Sequence, residues 1–206
     1  MEADFQICPR TGASECHCKK QLSSSNLGNA LLSNVKLTLE KLFDDHTFGT
    51  TELIDNSLPE LNEGAAAATS RKILKNPGDI ARALEPIIGN DSATALEEVF
   101  TKHLKLAAAT LPLALVKETK KLQAAATKFI KQGDEVAAVI SSINPRIIPL
   151  ETAKQEMNTH NNFVVKLVTL RSQGKYREYV SLIDRYTNYA MHLANTIYLG
   201  LILSPE

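Results

Sequence analysis

A histidine recurs at a fixed interval along this chain. His46, His103 and His160 are each 57 residues from the next, and each lies in a helical pattern of apolar residues. A second helical pattern follows each histidine and returns the chain, so the interval corresponds to one helical hairpin. Hairpins of equal length place the three histidines at about the same height in a bundle. The sequence therefore predicts an all-α bundle of about six helices, built from three repeated hairpins.

The even-numbered helices of this bundle are predicted to be kinked. Asn76-Pro77-Gly78-Asp79 interrupts the second helix, because proline cannot donate a backbone hydrogen bond, and Asn76 is expected to cap the segment that restarts there. Gly133 falls in the fourth helix, close to one repeat length after Pro77. No segment shows the alternating pattern of a half-buried strand. The predicted helices cover about residues 29–57, 60–88, 92–115, 118–143, 149–171 and 175–203.

Residues 1–25 differ from the rest of the chain. They contain Pro9, Gly12 and three consecutive serines, and they show no sustained apolar periodicity. This composition is typical of a flexible segment. The sequence therefore predicts an extended N-terminal arm, residues 1–25, followed by a helical bundle domain, residues 26–206.

All three cysteines lie in this arm, so none can cross-link the bundle. Cys8, Cys16 and Cys18, with His17 between the last two, are the residue types that bind zinc. Only one residue separates Cys16 from Cys18, whereas common zinc sites have two to four. A zinc site, a disulfide and free thiols therefore all remain open for these cysteines.

Composition argues against several kinds of partner. The chain has 23 lysines and arginines and 23 aspartates and glutamates, so no net basic field attracts nucleic acid. The longest apolar runs, Leu104–Val116 and Ile197–Leu203, are too short or too interrupted to cross a bilayer, and no apolar signal region opens the chain. We therefore expect a soluble intracellular protein without a nucleic-acid partner or a membrane span.

The three histidines suggest a metal site inside the bundle. Counting back from each turn brings Asp79 and Glu135 of the returning helices within one or two turns of the histidine level. Histidine and carboxylate on facing helices are the ligands of buried metal sites in bundles, where zinc or iron would suit them. The hypothesis is a site made by some of His46, His103, His160, Asp79 and Glu135.

A structural role for the histidines is the alternative. Di-metal bundles use Glu-x-x-His, whereas Phe43, Phe100 and Met157 stand three residues before the histidines here. Each histidine could instead border the core and make a hydrogen bond to a neighbouring polar group. Both interpretations place the three imidazoles at one level.

Several short motifs, in order, resemble a family of small uncharacterised all-helical proteins known mainly from spore-forming bacteria. The motifs span about residues 34–202 and are Asp45-His46, Asn76-Pro77-Gly78-Asp79, Lys102-His103, Ile143-Asn144-Pro145 and Thr159-His160. The resemblance implies a helical fold and no particular activity. The chain departs from the family at Thr47–Thr51, where the family usually has a tryptophan, a threonine and an arginine, and at Asn195, where the family tends to have an aspartate.

No catalytic motif supports an enzyme. The sequence contains no glycine-rich phosphate loop and no Gly-x-Ser-x-Gly elbow. The preferred interpretation is a non-enzymatic structural or interaction protein, a minor component of a large assembly such as a viral capsid. It would bind other protein chains of the assembly through residues 1–25, and would then be found in the virion. The alternative is a metal- or small-ligand-binding bundle, a sensor or an oxidoreductase, that uses the repeated histidines.

Overall fold

The computed structural model describes residues 24–57, 63–115 and 119–203. These residues form seven helices and no strand, which confirms the predicted all-α bundle. The helices are α1 (Ser24–Asn56), α2 (Glu63–Ile73), α3 (Asn76–Ile88), α4 (Asn90–Leu115), α5 (Thr119–Ile143), α6 (Leu150–Ser172) and α7 (Tyr176–Ile202). None of the seven is both long and apolar enough to cross a membrane.

Consecutive helices pack on one another around the bundle. α1 contacts α2 and α3, α3 contacts α4, and the contacts continue from α4 through α5 and α6 to α7. α7 packs against α1, so the ring of helices closes. Helices α1, α4 and α6, which carry the three histidines, also meet inside this ring through contacts of α6 with both α1 and α4.

The second predicted helix is two helices in the structure, because α2 ends at Ile73 and α3 begins at Asn76. Pro77 lies in the first turn of α3, where its missing N–H is not needed. The expectation that Asn76 caps this helix is wrong. Lys75 occupies the capping position and makes no side-chain capping bond. The Asn76 side chain instead donates a hydrogen bond from Nδ2 to the Leu42 carbonyl oxygen of α1, at 2.8 Å.

The predicted interruption at Gly133 does not occur, because α5 is one helix from Thr119 to Ile143. The glycine allows a close approach between helices. A Cβ at this position would lie 2.6 Å from Nδ2 of Asn161 on α6, which is closer than real Cβ contacts. The absence of a side chain therefore lets α5 and α6 pack tightly beside the histidine level.

The buried apolar residues of the described ranges form two clusters, one at each end of the bundle. The first contains Leu39, Ile80, Leu96, Ile148 and Ile197, and the second contains Ile54, Ile73, Leu167, Leu182 and Tyr186. On each histidine-bearing helix, the histidine lies between a residue of the first cluster and one of the second. The flanking pairs are Phe43 and Leu53 on α1, Leu96 and Leu104 on α4, and Met157 and Val164 on α6. The three histidines thus form a polar layer between two apolar cores.

Candidate functional site: a layer of three histidines

The structure brings the three repeated histidines together. The ring centroids of His46 and His160 are 5.5 Å apart, and those of His103 and His160 are 6.1 Å apart. Only 5% of the His103 surface and 6% of the His160 surface is exposed. His103 also stacks on the ring of Phe129 from α5, with centroids 4.5 Å apart. Three helices therefore deliver three imidazoles to one point in the core.

The hydrogen bonds of Asn76 fix the proton position on His46. Nδ2 of Asn76 donates to the Leu42 carbonyl, so Oδ1 is the atom that lies 3.2 Å from Nδ1 of His46. A carbonyl oxygen only accepts, so Nδ1 of His46 must carry the proton. Nε2 of a neutral His46 is then left with its lone pair. This is the arrangement of a metal-binding histidine whose second nitrogen is held by a neighbouring group.

The ring nitrogens of His103 have no hydrogen-bond partner. Gln132 and Asn161 are its polar neighbours, but neither contact reaches hydrogen-bond geometry. Gln132 Nε2 points away toward the Val99 carbonyl and Glu135, which leaves its buried Oε1 unpaired. The polar atoms of the Asn161 side chain are unpaired as well. The site therefore concentrates unpaired polar atoms around one imidazole.

His160 completes the layer from α6. Its Nδ1 is buried without a hydrogen-bond partner, and its ring lies 5.5 Å from that of Tyr186, centroid to centroid. Tyr186 is fully buried, and its hydroxyl group is also unpaired. Buried polar groups in proteins are nearly always paired, so such a concentration calls for an explanation.

Burial keeps all three imidazoles neutral at physiological pH. Loss of hydration lowers the pKa of His46 to about 4, although its hydrogen bond with Asn76 opposes the change. Burial, with a smaller contribution from His46, lowers the pKa of His103 to about 4. Burial lowers the pKa of His160 well below its usual value. Neutral imidazole is the form that binds metal ions.

Two voids adjoin the histidine layer. A cavity of about 60 Å³ lies on the side of the first apolar cluster, and a void of about 10 Å³ lies on the side of the second. His46, His103 and His160 line both. The imidazoles therefore form a partition between the two voids.

One carboxylate lines the larger cavity. Glu156 lies one turn before His160 on α6, and its side chain is 25% exposed. Its Oε2 accepts a hydrogen bond from the Tyr189 hydroxyl group, and its Oε1 lies 3.2 Å from Nε2 of the exposed His192. Glu156 thus connects the cavity to a histidine at the surface.

The two carboxylates that the sequence analysis placed near the histidines lie at the surface. Asp79 pairs with Arg82, and Glu135 pairs with Lys102 at 2.6 Å. Neither lines the voids beside the imidazoles. The other candidate ligands, Cys8, Cys16, His17 and Cys18, lie outside the described residues.

As they stand, no three histidine, cysteine, aspartate or glutamate side chains in the described ranges are arranged to hold a metal ion. Three imidazoles bound to one ion through nitrogens at about 2.1 Å have ring centres about 5 Å apart. The centroid distances from His160 to His46 and to His103, 5.5 and 6.1 Å, exceed this value by about 1 Å or less. Binding an ion would therefore require His160 to approach both neighbouring rings.

Sequence reasoning missed the polar neighbours of the histidines. Asn76 and Gln132 stand 30 and 29 residues after His46 and His103, respectively, so both amides occupy nearly the same place in their hairpins. That shared spacing is the signal that could have identified them. Glu156 was visible as the acidic residue one turn before His160.

Comparisons with known proteins identify no relative. No protein-family model matches the chain, and neither a curated protein nor a solved structure is significantly similar to it.

Proposed function

We propose that this protein is a metal-binding helical bundle in which His46, His103 and His160 supply the ligands. The observation that carries the proposal is the convergence of three imidazoles, of which His103 and His160 are buried and have unpaired ring nitrogens. Their lowered pKa values keep them neutral, which leaves lone pairs available to a cation.

The energetic cost of the layer supports a ligand. Each buried polar group without a hydrogen bond costs about 1–3 kcal/mol of stability. Leucine at these positions would avoid that cost and would join the two apolar clusters into one core. A bound ion would offset the cost by using the unpaired nitrogens, and Asn76 would orient His46 for it.

The ligand types indicate which ion would fit. Imidazole nitrogen suits zinc, iron, copper and nickel better than calcium or magnesium, which prefer oxygen ligands. Glu156 lines the same cavity and is the nearest candidate for a carboxylate ligand. Zinc or iron remains the expected ion.

Metal analysis of the purified full chain tests the proposal. The protein is dialysed against a chelator, loaded with Zn²⁺ or Fe²⁺ under reducing conditions, and passed through a desalting column. We expect one ion per chain in the wild type and a loss of at least tenfold in affinity in His46→Ala, His103→Ala and His160→Ala.

His192→Ala is the matched control, because this histidine is 56% exposed on α7 and does not line either void. The control should keep its metal. A wild-type chain that stays metal-free, or histidine variants that bind as tightly as the wild type, would show that the layer is a structural feature without an ion.

The assembly function suggested by the sequence stays a prediction. It depends on residues 1–25, of which residues 1–23 lie outside the described part of the chain. The capsid interpretation and the zinc, disulfide or thiol alternatives for the cysteines have the same status. Metal binding by the bundle and docking by the arm are compatible, since they use different residues.

A further inference from the structure

The larger void beside the histidines has walls that are almost entirely apolar. Phe43, Ile80, Phe100, Met157, Leu193 and Ile197 contribute most of the bulky side chains around it. The imidazoles close one wall, and Glu156 lies at another. A water molecule in this space needs two to four polar partners. The polar residues of the lining are the three histidines, Asn76, Glu156 and Thr196, and the rest of the wall is apolar.

The volume of the cavity limits what can enter. About 60 Å³ exceeds the roughly 10–15 Å³ that one water molecule needs by this measure. It is well below the roughly 150 Å³ of an apolar protein cavity known to take benzene. The space therefore suits a molecule of two or three non-hydrogen atoms, such as a diatomic gas.

We propose that this cavity binds a small uncharged apolar molecule of about the size of dioxygen, against the face of the histidine layer. Apolar cavities of proteins remain dry and take up such molecules, because the bound molecule regains dispersion contacts that an empty void lacks. The His46, His103 and His160 rings would form the polar end of this site. This inference goes beyond the metal proposal and does not depend on it.

Xenon provides a direct test, because it is apolar, inert and of suitable size. Methyl-labelled full-length protein, freed of metal, is placed under a few bar of xenon, and methyl chemical shifts are recorded by NMR. We expect saturable shifts at Ile80, Val136, Met157 and Ile197, which line the cavity from four helices. Methyl groups of Ile54 and Leu182 should not shift, because these residues are buried in the second cluster and do not line the cavity.

Cavity-filling variants provide the control. Ala153 lines the cavity, so Ala153→Leu should abolish the saturable shifts. Ala93→Leu changes an alanine that is also buried but lies outside the lining, and should keep them. Overfilling a packed core destabilises a protein, so Val136→Ile, which adds a single methyl group, is the variant to use if Ala153→Leu does not fold. It should weaken xenon binding at least threefold.

The outcomes separate this inference from the metal proposal. No xenon-dependent shifts at the lining methyl groups beyond those under the same hydrostatic pressure without xenon would overturn the inference, whether or not metal binds. Equal shifts in the wild type and the folded filling variant would overturn it as well. Benzene should produce no saturable shift, and its binding would contradict the size argument. Xenon binding in a chain that fails to take up Zn²⁺ or Fe²⁺ would support the cavity and reject the metal site.

Discussion

At the scale of single residues, the three histidines are equivalent in sequence and unequal in environment. His46 has a hydrogen-bond partner in Asn76, whereas both ring nitrogens of His103 are unpaired. The same residue type therefore contributes differently to stability and to binding. Substitution of one histidine at a time can separate these contributions.

His103→Leu should increase the stability of the metal-free protein. Leucine has a similar volume, and it removes two buried nitrogens that no group satisfies. We expect the free energy of unfolding to rise by about 1–3 kcal/mol, measured by urea denaturation followed by circular dichroism. The same variant should lose the stabilisation that added Zn²⁺ gives the wild type. A metal-free variant less stable than the wild type would show that the imidazole has partners in solution, such as bound water.

Asn76→Ala should weaken metal binding without moving a ligand. The substitution removes the acceptor that holds the proton on Nδ1 of His46, so the ring no longer prefers the tautomer with a free Nε2. Loss of such a neighbouring group typically costs 10- to 100-fold in affinity, and we expect that range in a competition assay with a metal indicator. Asn195→Ala is the control, because within the described part of the chain the Asn195 side chain bonds to its own helix, at the Met191 carbonyl oxygen. Equal affinity in both variants would exclude the orienting role of Asn76.

At the scale of the helices, the contact between α5 and α6 depends on one missing side chain. A Cβ at Gly133 would lie 2.6 Å from Nδ2 of Asn161, and Asn161 is only 1% exposed. The asparagine cannot swing into solvent, so its amide group would have to shift within the packed core to admit a methyl group. This contact adjoins His103, which has Asn161 as a neighbour.

Gly133→Ala should therefore destabilise the protein, although alanine favours helices. The propensity gain of about 1 kcal/mol is smaller than the cost of overpacking, of about 1–3 kcal/mol. We expect a net loss of up to about 2 kcal/mol in thermal or urea unfolding. Gly28→Ala makes the same change in α1, where no atom of the described residues lies within 4 Å of the new Cβ, and should leave stability unchanged or slightly raised. Equal effects at the two sites would contradict the close helix contact.

At the scale of the whole molecule, the histidine layer should make folding sensitive to acid. The pKa values of His46 and His103 fall from 6.5 in an unfolded chain to about 4 in the fold. Between these values the unfolded chain binds protons that the native protein excludes, so stability falls as the pH is lowered. The stability that these neutral histidines contribute is fully present above about pH 6.5 and is lost progressively as the pH falls toward 4. A difference of this size corresponds to about 3 kcal/mol for each histidine.

Two such groups remove about as much free energy as a small domain possesses, so the metal-free protein should unfold within this interval. Circular dichroism between pH 7 and pH 4 measures the transition. A variant with leucine at positions 46, 103 and 160 should remain folded to lower pH. A wild type with constant stability over the interval would show that the imidazoles are hydrated in the native state.

Removal of residues 2–23 tests the division between arm and bundle. Because α1 begins at Ser24, the deletion leaves every described helix intact. We expect unchanged helicity and melting temperature, together with loss of co-sedimentation with the large assembly predicted from the sequence. A large drop in melting temperature would mean that the N-terminal residues belong to the folded core.

The sequence by itself determined the all-α class of the described residues and the common level of His46, His103 and His160. These properties follow from local periodicity, because rise per residue fixes height along a helix. The direction in which each side chain points depends on how each helix is rotated about its axis, which packing decides. Asp79 and Glu135 were expected near the histidines and instead pair with Arg82 and Lys102 at the surface.

Only the tertiary structure selected the partners of the site. Asn76 was expected to cap its own helix, yet it reaches across to His46 and α1, because α3 packs against α1 at that point. Gly133 was expected to break α5, yet it brings α5 against α6 at Asn161. Height along a helix is a local property and can be counted from the sequence. Contact between side chains depends on how each helix is rotated about its axis. That rotation is set when all the helices bury the two apolar clusters together, so it cannot be predicted from any single segment.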